Sequence, residues 1–267
     1  MLEIHWLLAF LFLGSVVGFM AGLLGIGGGG IMVPVLTSIF LLQGVSVDKV
    51  VHLALGTSMA CMIVTSLSSF RAHYARGGVI GRVVRGMAPG ILLGTFLATF
   101  VAAQLSSVYL AIFFALFMAY VSAQMFLDKK PKPSRELAGN TGLFTAGSGI
   151  GAVSALVSIG GGSLTVPYLI WQNVDIKKAI GTSAAIGVPI SIAGTLGYLI
   201  NGWSHSSAEN FTYGFVYLPA VVSISATSFF AAPYGVRMAH KLPVATLKRI
   251  FAVLLILLSV KMITSVV

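Results

Sequence analysis

Eight apolar runs divide this chain, at about 5–43, 51–70, 83–103, 107–127, 138–172, 179–200, 214–236 and 247–267. A helix needs roughly 20 apolar residues to cross the hydrocarbon of a bilayer, and six of the runs have the length of one crossing. Charged residues make up only 8% of the 267 positions, against roughly 25% in a soluble domain. With 57% hydrophobic residues and a mean hydropathy of +1.00, most of these side chains must have lipid as their solvent. In lipid each backbone polar group has to be satisfied within the protein, which a helix does by itself. The expected fold is an all-α polytopic membrane protein.

The two halves of the chain resemble each other. GIGGGGIMVP (Gly25 to Pro34) aligns with SIGGGSLTVP (Ser158 to Pro167), and ALGTS ending at Ser58 aligns with AIGTS ending at Ser183. Later, QLSSVYLAIFFAL matches KLPVATLKRIFAV, with Leu105, Leu110 and Phe114 opposite Leu242, Leu247 and Phe251. The organisation read from this is repeat 1 over 1–127, a charged cytoplasmic linker over 128–137, and repeat 2 over 138–267. Internal duplication is a common plan for secondary transporters.

Net charge is +10, but lysines and arginines fall between apolar runs rather than in basic blocks interleaved with aromatics. That is the pattern of cytoplasmic loops, not of nucleic-acid binding. If every run crossed once, the positive residues would divide almost evenly between the two sides. If the long runs 5–43 and 138–172 instead enter and return at their glycines, 14 of the 16 positive residues share one side. Only Lys49 and Lys261 then lie elsewhere. This arrangement gives each half an odd number of passes, makes the repeats inverted, and puts both termini outside. Each half becomes a Gly-rich broken helix or re-entrant hairpin followed by three transmembrane helices, up to ten helical passes in all.

GIGGGG satisfies G-x-G-x-x-G, and Asp48 follows at a distance suited to a dinucleotide fold. The flanks exclude that reading. A dinucleotide loop needs a short strand and a βαβ unit, whereas Gly14, Gly18 and Gly22 here precede it within a membrane-length run. Such four-residue ladders let another backbone approach closely. They recur at Gly86, Gly90 and Gly94, and at Gly147, Gly151 and Ala155. One cluster alone reads as a turn, with Pro34 or Pro167 breaking or starting the next segment. Two broken helices at equivalent places point instead to a substrate site. A helix that begins inside the membrane presents free N–H groups and the positive end of its dipole, to which an anion can come close across glycine.

The candidate substrate residues are accordingly Gly25, Gly27, Gly28, Gly29, Gly160, Gly161 and Gly162, with the hydroxyls of Ser158, Ser163, Thr57, Ser58, Thr182 and Ser183. Thr165 is a further hydroxyl of the second cluster. Pro34, Pro167 and Pro189 are candidate breaks or hinges; Pro89 and Pro219 are expected to kink their spans. All six acidic residues lie at the termini or between runs, so no buried carboxylate offers a proton relay. His52, at the mouth of the second run, reads as an interface residue. The lone Cys61 reads as packing. No spacing suggests a metal, a cofactor or a nucleophile with its base, and a leading Glu3 without a basic n-region argues against a cleaved signal peptide.

Taken together, GxxxGxxxGxxGxGGGxxxVPxL near the N-terminus, GAVSALVSIGGGSLTVPYL and the two A-x-GTS pieces resemble the TauE/SafE family of putative sulfite exporters. The resemblance covers essentially the whole chain. It implies a multi-pass permease of the bacterial inner membrane for small sulfur-containing anions such as sulfite or organosulfonates. It carries the family's motif onto Gly25, Gly27, Gly28, Gly29, Pro34, Gly160, Gly161, Gly162 and Pro167; Ser158 and Ser163 depart from the first copy, where glycines stand. The expected partners are a small anionic substrate and the lipid bilayer, with proton or sodium coupling and a homo-oligomer both left open. Two other readings remain: a membrane subunit or assembly factor without transport activity, and a passive anion channel.

Overall fold

A computed structural model describes residues 3–24, 28–127, 136–207, 211–238 and 244–266. Ten α-helices lie within them: α1 (Ile4–Leu24), α2 (Gly29–Leu42), α3 (Val47–Tyr74), α4 (Gly81–Gln104), α5 (Ser107–Leu127), α6 (Asn140–Val157), α7 (Gly162–Trp171), α8 (Ile176–Asn201), α9 (Leu218–Met238) and α10 (Val244–Val266). The connection before α9 holds a 3-10 turn (Trp203–His205) and a short hairpin, β1 (Thr212–Tyr213) and β2 (Val216–Tyr217). Six helices are long and apolar enough to cross a membrane. The protein is an all-α, multi-pass membrane protein.

Each long apolar run folds as a hairpin of one full and one short helix. The rings of Phe10, early in α1, and Phe40, late in α2, both pack on Tyr217 at 6.2 and 5.6 Å. Chain reversal is the only way to bring those two ends together, so α2 runs back along α1. In the second hairpin the Tyr168 hydroxyl, late in α7, donates to the Gly142 carbonyl, early in α6, at 3.4 Å. With 14 and 10 residues, α2 and α7 are about 21 and 15 Å long, too short to cross alone.

The glycine ladders are the seams of the assembly. Carbon atoms added at Gly14, Gly18 and Gly22 would run into the α9 backbone at Ile224, Ser228 and Ala232 in turn, so α1 and α9 lie parallel and nearly touching. Gly90 and Gly94 of α4 meet the α6 backbone at Phe144 and Ser148 in the same way, and Gly86 packs on the Leu143 side chain. Both seams join one half of the chain to the other. Without a hydrophobic drive between helices in lipid, close backbone approach of this kind supplies the packing energy.

At the centre, α3 packs along α8. Gly187 faces Ser66, Gly194 faces Met59, and Gly56 faces Tyr198, an order that rises in one helix as it falls in the other. These corresponding helices of the two halves therefore cross antiparallel. Most of α3 is buried, whereas α1, α5, α9 and α10 present Phe12, Leu116, Val222 and Leu257 outward. The apolar exterior is what a surrounding of lipid requires.

The prolines differ from expectation. Pro34 and Pro167 lie inside α2 and α7 rather than at their starts, and the breaks are made by glycine instead. Pro219 stands in the first turn of α9, where its missing N–H has no helical acceptor to lose.

The seams predict a position-specific cost. A Cβ at Gly18 would sit 2.6 Å from the Ser228 Cα, so Gly18→Val lowers unfolding stability in detergent by about 1–3 kcal/mol or more. Gly149→Ala, where a Cβ meets open space, changes it by less than about 1 kcal/mol.

Candidate functional site

The two short helices begin alike. Gly28 caps α2 at φ 80° and Gly161 caps α7 at φ 78°, a left-handed conformation that glycine adopts without steric cost. Neither helix start has a side-chain cap, whereas Asp175 caps α8 by accepting from the N–H groups of Lys177 and Lys178. In α2 the N–H groups of Ile31 and Met32 close onto the Gly28 carbonyl. In α7 those of Leu164 and Thr165 close onto Gly161. The earlier N–H groups, of Gly29 and Gly30 and of Gly162 and Ser163, precede the helical ladder and point along the axis with the positive end of each dipole.

Both helix starts lie at mid-height of the bundle, and the break that precedes α7 meets the start of α2 there. Met62, halfway along α3, places its sulfur 3.4 Å from where a Gly29 Cβ would stand, and Gly187, halfway along α8, lies beside the Gly160 carbonyl. The Ser158 carbonyl oxygen abuts the Cα of Gly29 directly, closer than any side chain there would allow. Ser158 itself is left-handed at φ 49° and ends α6, and its hydroxyl donates to the Leu55 carbonyl at 3.4 Å. The second hairpin thus presents a carbonyl oxygen to the start of the first.

Two buried hydroxyls at this crossing lack a partner, Ser58 Oγ and Thr165 Oγ1. Ser58 shares a helix face with Leu55 and Met62, three and four residues away, and so faces the place where the hairpins meet. Thr165 stands in the first turn of α7, with Oγ1 3.2 Å from the position of a Gly161 Cβ. A buried hydroxyl without a partner costs roughly 1–3 kcal/mol, which a ligand atom would recover. The two starts differ in lining: Gly30 is faced by Leu255 and Met118, while Ser163 and Thr165 give α7 a polar first turn.

Other sequence-expected residues hold the halves together. The Thr57 hydroxyl accepts the N–H of Tyr217, the residue before α9, at 3.0 Å. The Thr182 hydroxyl accepts that of Ile80, the residue before α4, also at 3.0 Å. Beside them, Gly56 lies against the Phe215 carbonyl and Gly181 against the Gly78 carbonyl. Each GT pair therefore clasps the chain entering a helix of the opposite half. Ser183 donates to its own helix at Ile180. Burial pushes the Tyr217 phenol above its usual pKa.

Pro189 lies in α8 between Ile186 and Ile190, whose side chains face Gly161. His52 is buried rather than interfacial: its Nε2 lies 3.1 Å from the Ala102 carbonyl and its ring packs on Phe215. Gly25 and Gly27 lie outside the described residues, as does most of the 128–137 linker. Met62, Val17 and Ser66 also line the crossing. They carry no sequence signal, because they come from unbroken helices with ordinary apolar or hydroxyl residues.

A family model described as "Sulfite exporter TauE/SafE" matches residues 10–262. The chain belongs to this family. Among TauE/SafE relatives, a "Probable membrane transporter protein" of Haemophilus influenzae is 35% identical over 258 residues, covering 96% of this chain and 98% of its own. "Probable membrane transporter protein YdhB" of Bacillus subtilis is 27% identical over 242 residues, covering 86% and 89%. A probable membrane transporter protein of Methanocaldococcus jannaschii is 23% identical over 236 residues, covering 86% and 85%. No solved structure matches. This TauE/SafE protein is a multi-pass membrane transporter.

The hydroxyl assignments separate by stability. Thr57→Val and Thr182→Val strand a backbone N–H and lower thermal stability in detergent by about 1–3 kcal/mol each. Ser58→Ala removes a hydroxyl that has no partner, and leaves stability unchanged or slightly raised.

Proposed function

We propose that the protein is a secondary transporter, in the exporting direction, for small sulfur-containing anions such as sulfite or organosulfonates. It works in the bacterial inner membrane and catalyses no reaction. The observation that carries this reading is the pair of uncapped helix starts at mid-height, where the start of α2 meets the break before α7, with the unpartnered Ser58 and Thr165 hydroxyls beside them. An oxyanion placed there would accept hydrogen bonds from backbone N–H groups and from both hydroxyls, with two helix dipoles favouring its charge. The Ser158 carbonyl now occupies the approach to Gly29. A substrate oxygen would take its place as the hairpins part.

The antiparallel crossing of α3 and α8 supports inverted repeats over 1–127 and 138–267, joined by a cytoplasmic linker. The ends of the helices sort the charges in the same sense. Arg71, Arg76, Arg82, Arg85, Lys177, Lys178, Arg237 and Arg249 fall at one end of the bundle, and Lys49 at the other. By the positive-inside rule the first end is cytoplasmic, and both termini are external. Alternating access then consists of one hairpin and its α3 or α8 support rocking against the other, as inverted repeats permit.

Purified protein in liposomes tests the reading. Sulfite or sulfonate flux that responds to an imposed proton or sodium gradient supports it; flux insensitive to both gradients indicates a channel, and absence of flux indicates an assembly role. Gly28→Leu and Gly161→Leu force a side chain into left-handed backbone at a crowded crossing and abolish transport. Ser58→Ala retains the fold and raises KM about fivefold, the loss of one hydrogen bond of roughly 1 kcal/mol.

A further inference from the structure

At the positively charged end of the bundle, α3 and α9 diverge to leave a cleft of about 610 Å³ on the outer surface. Arg71 and Arg76 from α3 and the turn after it face Arg237 of α9 across the cleft, and Phe229, Phe230, Pro233 and Tyr234 form the wall. Arg237 is remote in sequence from Arg71 and Arg76, and the three serve neither the hairpin crossing nor a seam. Among the described residues, no carboxylate lines the cleft, and none of these arginines has an ion pair.

We propose that this cleft binds the headgroup phosphate of an anionic phospholipid from the cytoplasmic leaflet. Charge and position both argue for lipid over a soluble anion. Phe230 is 70% exposed and Tyr234 61%, so the wall faces the surroundings of the bundle, where acyl chains run. Two of the three guanidinia are already oriented: Arg76 Nη1 donates to the Ala72 carbonyl at 2.9 Å, and the Arg237 carbon lies 5.5 Å from the centre of the Tyr234 ring. Each keeps further N–H donors free, in the planar fork that matches phosphate oxygens. Basic pockets between helices on the cytoplasmic side have the chemistry for such headgroups. The volume lies in the range of small-molecule sites, roughly 300–1,000 Å³, enough for phosphate and glycerol with the tails outside.

The inference stands apart from the substrate reading and is tested by binding rather than transport. Native mass spectrometry of the purified protein is carried out with phosphatidylglycerol and phosphatidylcholine present in equal amounts. Selective retention of phosphatidylglycerol is expected, weakened about thirtyfold in Arg71→Gln/Arg237→Gln, from roughly 1 kcal/mol for each charge removed. Lys49→Gln, at the opposite end, leaves retention unchanged, and Arg71→Lys/Arg237→Lys restores part of it. Both arginines are exposed at helix ends, and a thermal melt confirms that the variants fold. Equal retention of the two lipids, or full retention by the glutamine variant, overturns the proposal. Displacement of the lipid by millimolar inorganic phosphate or glycerol 3-phosphate also overturns it, because the cleft would then be a site for free anions.

Discussion

A helix that starts in the middle of a membrane leaves backbone N–H groups where water cannot reach them, and the rest of this structure is arranged around that constraint. Lipid tolerates irregular backbone only where protein covers it. The starts of α2 and α7 are covered by α3 and α8, the most buried long helices, and by each other through Ser158 and Gly29. The outer helices then shield this pair and carry the lipid-facing side chains. Removing either short helix would expose the broken end of its partner, so the two halves depend on each other at their weakest points.

That dependence is built into the packing as well as the site. Each hairpin's long helix lies not on its own half but along α9 or α4 of the other. The GT pairs repeat the exchange, since Thr57 holds the entry to α9 and Thr182 the entry to α4. A contact made only within one half would let the halves separate like two subunits. These crossed contacts interlock the two halves along both seams and at both GT pairs. Pro189, in α8 between the two isoleucines that face Gly161, frees a helical carbonyl at that level.

Length, hydropathy and repetition made the membrane class, the hairpins and the glycine clusters legible in the sequence, because each is a local property. A run too long for one helix and too rich in glycine to continue has few other ways to fold. The GTS motifs were legible as a repeated pair but not in their role: the partners of Thr57 and Thr182 are single backbone N–H groups at positions 217 and 80, far away in the chain. Ser58 and Thr57 are neighbours of like chemistry, and only the helix turn sends one to the opposite half and the other to the crossing. His52 was misread for a related reason. Its position near a helix start says nothing of the Ala102 carbonyl and the Phe215 ring that the packed connection before α9 brings over it.

The crossing also bears on how such a site can be both closed and selective. The positive end of α2 is not left bare, because the Ser158 carbonyl oxygen of the other hairpin stands against its first glycine. A carbonyl is a neutral dipole, so the contact satisfies the site only in part. On the reading proposed above, an anion would offer a full charge to the first N–H groups of α2. The difference between these two occupants would then set how far binding shifts the balance between closed and parted hairpins, since a ligand moves an equilibrium only by its differential affinity. On this view Gly29 must lack a side chain because the carbonyl and the substrate take turns against its backbone. The polar first turn of α7 at Ser163 and Thr165 would then be the side from which the anion is first held.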